Sequence, residues 1–327
     1  MDWKDRNVLI TGITGFVGTW LAKDLVEKGA NVVGFVRDEI KSMPIETMGI
    51  YDKLAVIAKG DIVDYNSVKR VFDEYDVDTC FHLAAQAIVG DANNDPTKTF
   101  RVNILGSWNI LEAVRTSETV KRLVFASTDK AYGEPIKVPI TENHPLLAAY
   151  PYDASKACAE LLARTYFTTY GLPVSVTRCC NIYGGGDLNF SRIITGTIKS
   201  IIFGQNPIIR SDGTPVRDFI YIKDAVNAYV VLAQNMGKSG VDGEAFNFGS
   251  NAPINMLDLV NKIIKVSGRT KLRPDVQGTR KPHAEIDEQY LSNEKARRIL
   301  GWTPKFDLES GLKETIKWYE NYFSKTQ

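Results

Sequence analysis

The chain has 327 residues, enough for one large domain and a smaller one, and is 44% apolar and 24% charged, as ordinary folded proteins are. With 40 Lys and Arg against 39 Asp and Glu, it lacks the basic excess of a nucleic-acid binder, so any anionic ligand must be met by local donors. No apolar run is long enough to cross a membrane, and the charged start Met1–Arg6 leads straight into a strand-like run, which argues against a signal peptide.

The predicted elements alternate. Short β-branched runs at Asn7–Thr11, Asn31–Val36, Leu54–Lys59, Thr79–Leu83, Arg122–Ala126 and Val174–Cys179 read as strands. Between them, Phe16–Lys28, Ser67–Tyr75, Thr99–Thr116 and Ser155–Tyr170 repeat apolar residues at intervals of three and four, as amphipathic helices do. This alternation predicts an α/β fold, a doubly wound parallel sheet of Rossmann type covered on both faces. Beyond about residue 180 the pattern loosens, and Gly184-Gly185-Gly186 and Gly204-Gln205-Asn206-Pro207 break the chain. A second, smaller substrate-binding lobe is expected there. The division is 1–182 and 183–327, and a segment of the second part is allowed to return to the first.

Cys80, Cys158, Cys179 and Cys180 include an adjacent pair inside an apolar run, poor geometry for a disulfide framework. With only His82, His144 and His283 besides, no metal site is expected. A cytoplasmic, reducing setting follows.

The first predicted strand ends at Thr11 and is followed by Gly12-Ile13-Thr14-Gly15-Phe16-Val17-Gly18 and a helix. Glycines at Gly12, Gly15 and Gly18 allow a tight turn and close approach of the backbone to a pyrophosphate, while the helix start offers free amides to that anion. Phe16 and Val17 belong to the same turn. Strand two ends Val36-Arg37-Asp38, where an acid would hold the ribose hydroxyls of NAD and an arginine accommodates the phosphate of NADP. Arg37 therefore favours NADP and leaves NAD open. Asp61 and Ile62 after strand three fit the adenine end, and Leu83, Ala84 and Ala85 give a small-residue backbone along which a dinucleotide can lie.

Tyr152 and Lys156 stand one helical turn apart on one face. A lysine so placed can lower the phenol's pKa and grip the nicotinamide ribose, making tyrosinate a base near neutral pH. Tyr65 and Lys69 repeat the spacing, but remote from the carboxyl ends of the central strands, and read as a solvated face. Thr128, just past strand five, can hydrogen-bond the hydroxyl that Tyr152 deprotonates.

Gly12–Gly18, Thr128, Tyr152 and Lys156 together resemble the extended short-chain dehydrogenase/reductases that rework nucleotide sugars, and the resemblance runs through nearly the whole chain. Ser127-Thr128-Asp129-Lys130, Asn181-Ile182-Tyr183-Gly184-Gly185-Gly186-Asp187 and Phe81-His82-Leu83-Ala84-Ala85-Gln86 resemble the CDP-glucose 4,6-dehydratases most. In that resemblance the dTDP-glucose dehydratases carry Asp-Glu in place of Asp129-Lys130, and 4-epimerases carry neither pair. The Val36-Arg37 strand end departs from it and looks more like GDP-mannose 4,6-dehydratases.

The resemblance implies a tightly held, recycled NAD(P) and a nucleotide-sugar substrate. Asn181, Arg217 and Arg280 would hold the diphosphate and Gln86 would join the substrate site. A homodimer through helices near 99–116 and 155–170 is implied as well. It also implies Asp129 as the acid that protonates a leaving hydroxyl and Lys130 as the base that removes a carbon 5 proton. Free Asp sits near ~3.9 and free Lys near ~10.4, so both would ordinarily be in the wrong state, and the pair must be desolvated and share a proton. Two alternatives remain: a 4-epimerase that uses only Thr128, Tyr152 and Lys156, and a non-catalytic NAD(P)-binding regulator.

Overall fold

A computed structural model describes residues 1–38, 43–279 and 286–326. Six strands fall where the periodicity puts them, within two residues at either end: β1 (Asn7–Thr11), β2 (Asn31–Val36), β3 (Val56–Lys59), β4 (Thr79–His82), β5 (Arg122–Ala126) and β6 (Val174–Cys179). A seventh strand, Ala245–Phe248, comes from the second half of the chain and pairs in parallel with β6, Ala245 opposite Val176. The sheet order is Ala245–Phe248, β6, β5, β4, β1, β2, β3, every pairing parallel.

The strands are apolar on both faces because helices cover both. Val8, Ile10, Val32, Phe81 and Val124 enter one core and Leu9, Val33, Cys80, Leu123 and Phe125 the other, an alternation of period two. Helix α1 (Phe16–Glu27) packs with Ile222–Asn235, while Gly106–Arg115 packs between Tyr65–Glu74 and Pro151–Tyr170. The predicted helix Thr99–Thr116 starts earlier, at Pro96, and holds a widened π-turn over Arg101–Leu105. That widening turns Asn103 inward, where its amide donates to the Gln86 carbonyl (3.1 Å) and to Ser155 Oγ (2.8 Å).

β1 and β4 are neighbours, yet the chain leaves β1 towards β2 and β3 and returns to β4 on the other side. The connections leaving their paired carboxyl ends therefore run in opposite directions and open a crevice, the place where open α/β sheets bind ligands. Beneath the next strands lies a buried ion pair. Arg178 on β6, 1% exposed, meets Glu160 on the helix Pro151–Tyr170 and donates to the Tyr132 hydroxyl at 2.6 Å. Tyr132 in turn donates to Asn247 Oδ1 at 2.7 Å, so one network joins β6, that helix, the turn after β5 and the seventh strand.

Candidate active site

β1 delivers the chain into the glycine turn, and α1 starts with Gly15 as its N-cap and no side chain capping it. Its first amides thus face the crevice. The turn has no room for side chains: a Cβ on Gly12 (φ +72°) would lie 2.7 Å from the Ala84 nitrogen, and one on Gly18 2.2 Å from the Gly12 carbonyl oxygen. A cavity of about 330 Å³ runs from this turn past Phe35–Asp38 and Gly60–Ile62 to Leu83–Ala87. It is lined by Gly12, Gly15, Phe16, Val17, Gly18, Arg37, Asp61, Ile62, Leu83, Ala84 and Ala85, the sequence-predicted cofactor residues other than Tyr152 and Lys156. Free helix amides, a cradle that a Cβ would fill and an elongated cavity fit a dinucleotide.

His82 supports this turn from beneath. Its Nδ1 meets Thr11 Oγ1 at 2.8 Å and its Nε2 meets Ser107 Oγ at 3.0 Å, while the Ala84 amide donates to the same Thr11 oxygen at 3.2 Å. Burial pushes the imidazole down to about 3, so it stays neutral and serves as a strut. Arg37 lies exposed at the far end, its Nε and Nη donating to Asp38 at 2.9 and 2.5 Å.

Pro151 opens the helix that carries Tyr152 and Lys156. Lys156 is 4% exposed, donates to the Ala126 carbonyl at the end of β5, and is lowered by burial to about 8. Thr128 caps the short turn Asp129–Tyr132, accepting from the Lys130 amide (3.3 Å) and donating to Asp129 Oδ1 (3.1 Å). The half-buried Tyr152 phenol is pushed up to about 12 by burial and then by Asp129, against the pull of the Thr128 hydroxyl and of Arg192. The lowering expected from Lys156 is not seen: burial and Asp129 raise the phenol, and the Lys156 ammonium donates to the Ala126 carbonyl.

Asp129 is 4% exposed, and burial raises its pKa against the opposing charges of Lys130 and Arg217. Asp153, next to Tyr152, is 5% exposed; burial lifts it to about 6, with Asp129 adding to the rise and Lys130 resisting it. A surface Asp-Lys turn would not behave in this way. Tyr65 and Lys69 lie elsewhere, on the helix Tyr65–Glu74, with Lys69 paired to Asp73.

Further along the chain, Arg217 sits on the short strand Val216–Arg217, half-buried, and its charge reaches Asp129. Asn181 Nδ2 donates to the Asp218 carbonyl at 3.1 Å, joining the end of β6 to the segment that carries Arg217. The Gln86 amide donates to Asn103 Oδ1 (2.7 Å), and its side chain donates to Asp91 (3.2 Å). Arg280 lies outside the described residues.

Two charged groups were missed in the sequence. Arg192 lines the cavity and is held at 2.8 Å by the buried carboxylate of Asp187, whose carbonyl accepts from the Tyr319 hydroxyl at 2.5 Å. Only the spacing of an acid and an arginine beyond the glycine run signalled it. Asp153 was in plain view inside Tyr152-Asp153-Ala154-Ser155-Lys156, but only burial separates it from an ordinary first-turn acid.

Fold and site together define an enzyme of the extended short-chain dehydrogenase/reductase type. Within that class the chain belongs to the GDP-mannose 4,6-dehydratase family, whose model matches residues 9–315. It is 29% identical to the CDP-glucose 4,6-dehydratase of Salmonella typhimurium, over 97% of this chain and 91% of that one. It is 32% identical to the UDP-glucose 4-epimerase of Lacticaseibacillus casei, over 96% of this chain and 97% of the other. Among solved structures, the dTDP-glucose 4,6-dehydratase of Bacillus anthracis in complex with NAD superposes with a TM-score of 0.85, at 29% identity and 97% coverage of both chains. Overall identity does not divide dehydratases from epimerases here, so the loop residues must.

Proposed function

We propose that the protein is a nucleotide-sugar 4,6-dehydratase that uses NAD(P), with CDP-glucose the first substrate to try. The observation that carries this reading is the buried Asp129, its carboxyl raised by burial, followed by the half-buried Lys130 and set beside Thr128 and Tyr152. Residues 1–182 hold the dinucleotide and 183–327 grip the sugar nucleotide, apart from the strand Ala245–Phe248, which is built into the first sheet.

When bound, the nicotinamide dinucleotide supplies the hydride acceptor for carbon 4 and the hydride donor for carbon 6. Once ionised, Tyr152 Oη removes the proton of the carbon 4 hydroxyl while Thr128 Oγ1 hydrogen-bonds the same oxygen; that ionised form needs Lys156 Nζ to turn from the Ala126 carbonyl and steady it by charge. The carbon 4 ketone makes the carbon 5 proton acidic. Lys130, as a free amine, takes that proton as Asp129 gives its own to the carbon 6 hydroxyl; the carbon–oxygen bond breaks, water leaves and a double bond forms between carbons 5 and 6. Lys130 then returns the proton to carbon 5 as carbon 6 is reduced. A 4-epimerase remains the second reading because the relative at 32% identity bears that name, but such an enzyme would have no need to bury Asp129 beside Lys130. Mass spectrometry of products from a panel of CDP, GDP, UDP and dTDP hexoses tests the reading. Loss of one water supports it, and an unchanged mass with altered stereochemistry replaces it with epimerisation.

Arg217 is the diphosphate clamp, its planar fork suited to phosphate oxygens, and Asn181, Gln86 and Arg280 complete the substrate side. Arg217→Ala should raise KM for every nucleotide sugar alike, by roughly tenfold to a hundredfold, since a charge-assisted hydrogen bond is worth about 1.5–3 kcal/mol. An unchanged KM would remove Arg217 from the clamp. At the other end, Arg37 makes NADP the preferred form, because a guanidinium rather than a carboxylate follows β2. Denaturing the purified protein should release NADP, and release of NAD alone would overturn that preference.

The assembly is a homodimer across helices Gly106–Arg115 and Pro151–Tyr170, which leave Trp108 (50%) and Leu161 (53%) exposed. The setting is a reducing cytoplasm, in keeping with four free cysteines and with the absence, among the described residues, of a helix long and apolar enough to cross a membrane.

A further inference from the structure

The short strand Glu288–Gln289 pairs in parallel with Val216–Arg217, Gln289 opposite Arg217. The Val216 amide closes this register by donating to the Asp287 carbonyl at 2.8 Å. Arg217 leans on the same segment, its Nη1 donating to the Val216 carbonyl at 2.8 Å and to the Asp287 carbonyl at 3.3 Å. From there the Gln289 side chain reaches the catalytic turn, where its Nε2 donates to the main-chain carbonyl of Asp129 at 3.1 Å. Gln289 is 1% exposed and Asp129 4%. One strand thus backs the arginine assigned to the diphosphate and holds the backbone of the acid assigned to the elimination.

What the glutamine meets explains its place. Leu291, two positions on, is fully buried and apolar, as an inward residue beside a core ordinarily is. A buried amide is tolerated only with hydrogen-bond partners, and the carbonyl that Gln289 reaches belongs to the peptide group between Asp129 and Lys130. That group is a rigid plane. Its other edge, the Lys130 amide, donates to Thr128 Oγ1 at 3.3 Å, so the plane is pinned on both sides. Rotating it would change ψ of Asp129 and φ of Lys130 together and swing both side chains. The Thr128 hydroxyl is also needed at the carbon 4 oxygen, whereas Gln289 takes no part in the chemistry and holds throughout.

We propose that Gln289 is a positioning residue of the elimination: by pinning the Asp129–Lys130 peptide to the strand pair that carries Arg217, it aims the acid and the base at carbons 6 and 5 of a sugar anchored by its diphosphate. This rests on the dehydratase reading. A sugar gripped through its diphosphate lies at a distance from the clamp that the substrate itself sets. The two elimination groups must therefore be fixed relative to the clamp as well as to the sheet. Tyr152 and Lys156 stand on the helix Pro151–Tyr170 and owe nothing to this bond, so carbon 4 oxidation should not depend on it.

The test is Gln289→Met in the holoenzyme, which keeps the bulk of the side chain and removes its donor. In single turnovers of the nucleotide sugar that the hexose panel identifies, reduced cofactor should form at the unaltered rate and accumulate. Water loss, followed by rapid quench and mass spectrometry, should slow about a hundredfold, the cost of roughly an ångström of misplacement. The Lys130 amide should exchange its hydrogen about two- to tenfold faster, as the loss of one ordinary hydrogen bond allows. Gln289→Glu supplies the rescue, because the introduced carboxyl can donate to the Asp129 carbonyl while protonated and cannot once ionised. Relative to the unaltered enzyme, its water loss should be near normal at low pH and fall as pH rises. Water loss at the unaltered rate in Gln289→Met overturns the proposal, as does an equal slowing of both half-reactions, which marks a purely structural residue. If Gln289→Met does not fold, Gln289→Glu decides, and a relative rate that does not vary with pH overturns the proposal. A protein that dehydrates no nucleotide sugar fails the functional reading and takes the role in elimination with it, while faster Lys130 exchange still shows that Gln289 holds the peptide.

Discussion

Asp129→Asn and Lys130→Met should each let the first half of the reaction proceed and stall the second. Tyr152 and Thr128 remain in place to deprotonate the carbon 4 hydroxyl, so reduced cofactor should build up on the enzyme and be seen by its near-ultraviolet absorbance. Water loss should slow by about 10²–10⁴-fold, the usual contribution of a general acid or base. The burial of Asp129 is what makes the effect large, because a carboxyl raised by desolvation is a proton donor that solvent cannot readily replace. Tyr152→Phe should differ in kind, abolishing the absorbance change itself. Near-normal turnover in both loop variants would remove the dehydratase reading and promote the epimerase, for which only Thr128, Tyr152 and Lys156 matter.

Arg178→Ala should cost about 3–5 kcal/mol in denaturant unfolding, because it strands the fully buried Glu160 carboxylate. The paired change Arg178→Met with Glu160→Leu should recover most of that loss, since neither charge is then left alone. A single-variant loss under about 1 kcal/mol would mean that water reaches Glu160. The site should feel the change too: Arg178 holds the Tyr132 hydroxyl, and Tyr132 ends the same turn that begins with Asp129.

Much of the frame was legible because it rests on local pattern. β1, β2, β5 and β6 coincide with their β-branched runs, and the glycine turn is dictated by the closeness of Gly12 to Ala84 and of Gly18 to Gly12. The strand Ala245–Phe248 left no such trace. It is four residues long, with a polar Asn247 at its centre, and Asn247 belongs there because its side chain is consumed by Tyr132 and by the Ile140 carbonyl, groups more than a hundred positions away. The alignment of Tyr152 and Lys156 on one helix face was likewise readable from spacing. That burial and Asp129 would keep the phenol protonated, and that Lys156 would turn to Ala126, depends on how the helix meets β5. Arg192 and Asp187 illustrate the same limit: an arginine five positions after an acid is common, and only Tyr319 from the last helix shows that this acid is fixed.

The seventh strand also bears on how the chain is made. During synthesis the first six strands leave the ribosome well before Ala245–Phe248, so β6 waits with an open edge until about 70 further residues have emerged. An exposed parallel edge invites pairing with other nascent chains. A fragment stopped near residue 182 should therefore aggregate rather than persist as a free dinucleotide-binding unit. Protection of β6 amides against hydrogen exchange should appear only once translation has passed the Phe248 codon and the strand has cleared the exit tunnel.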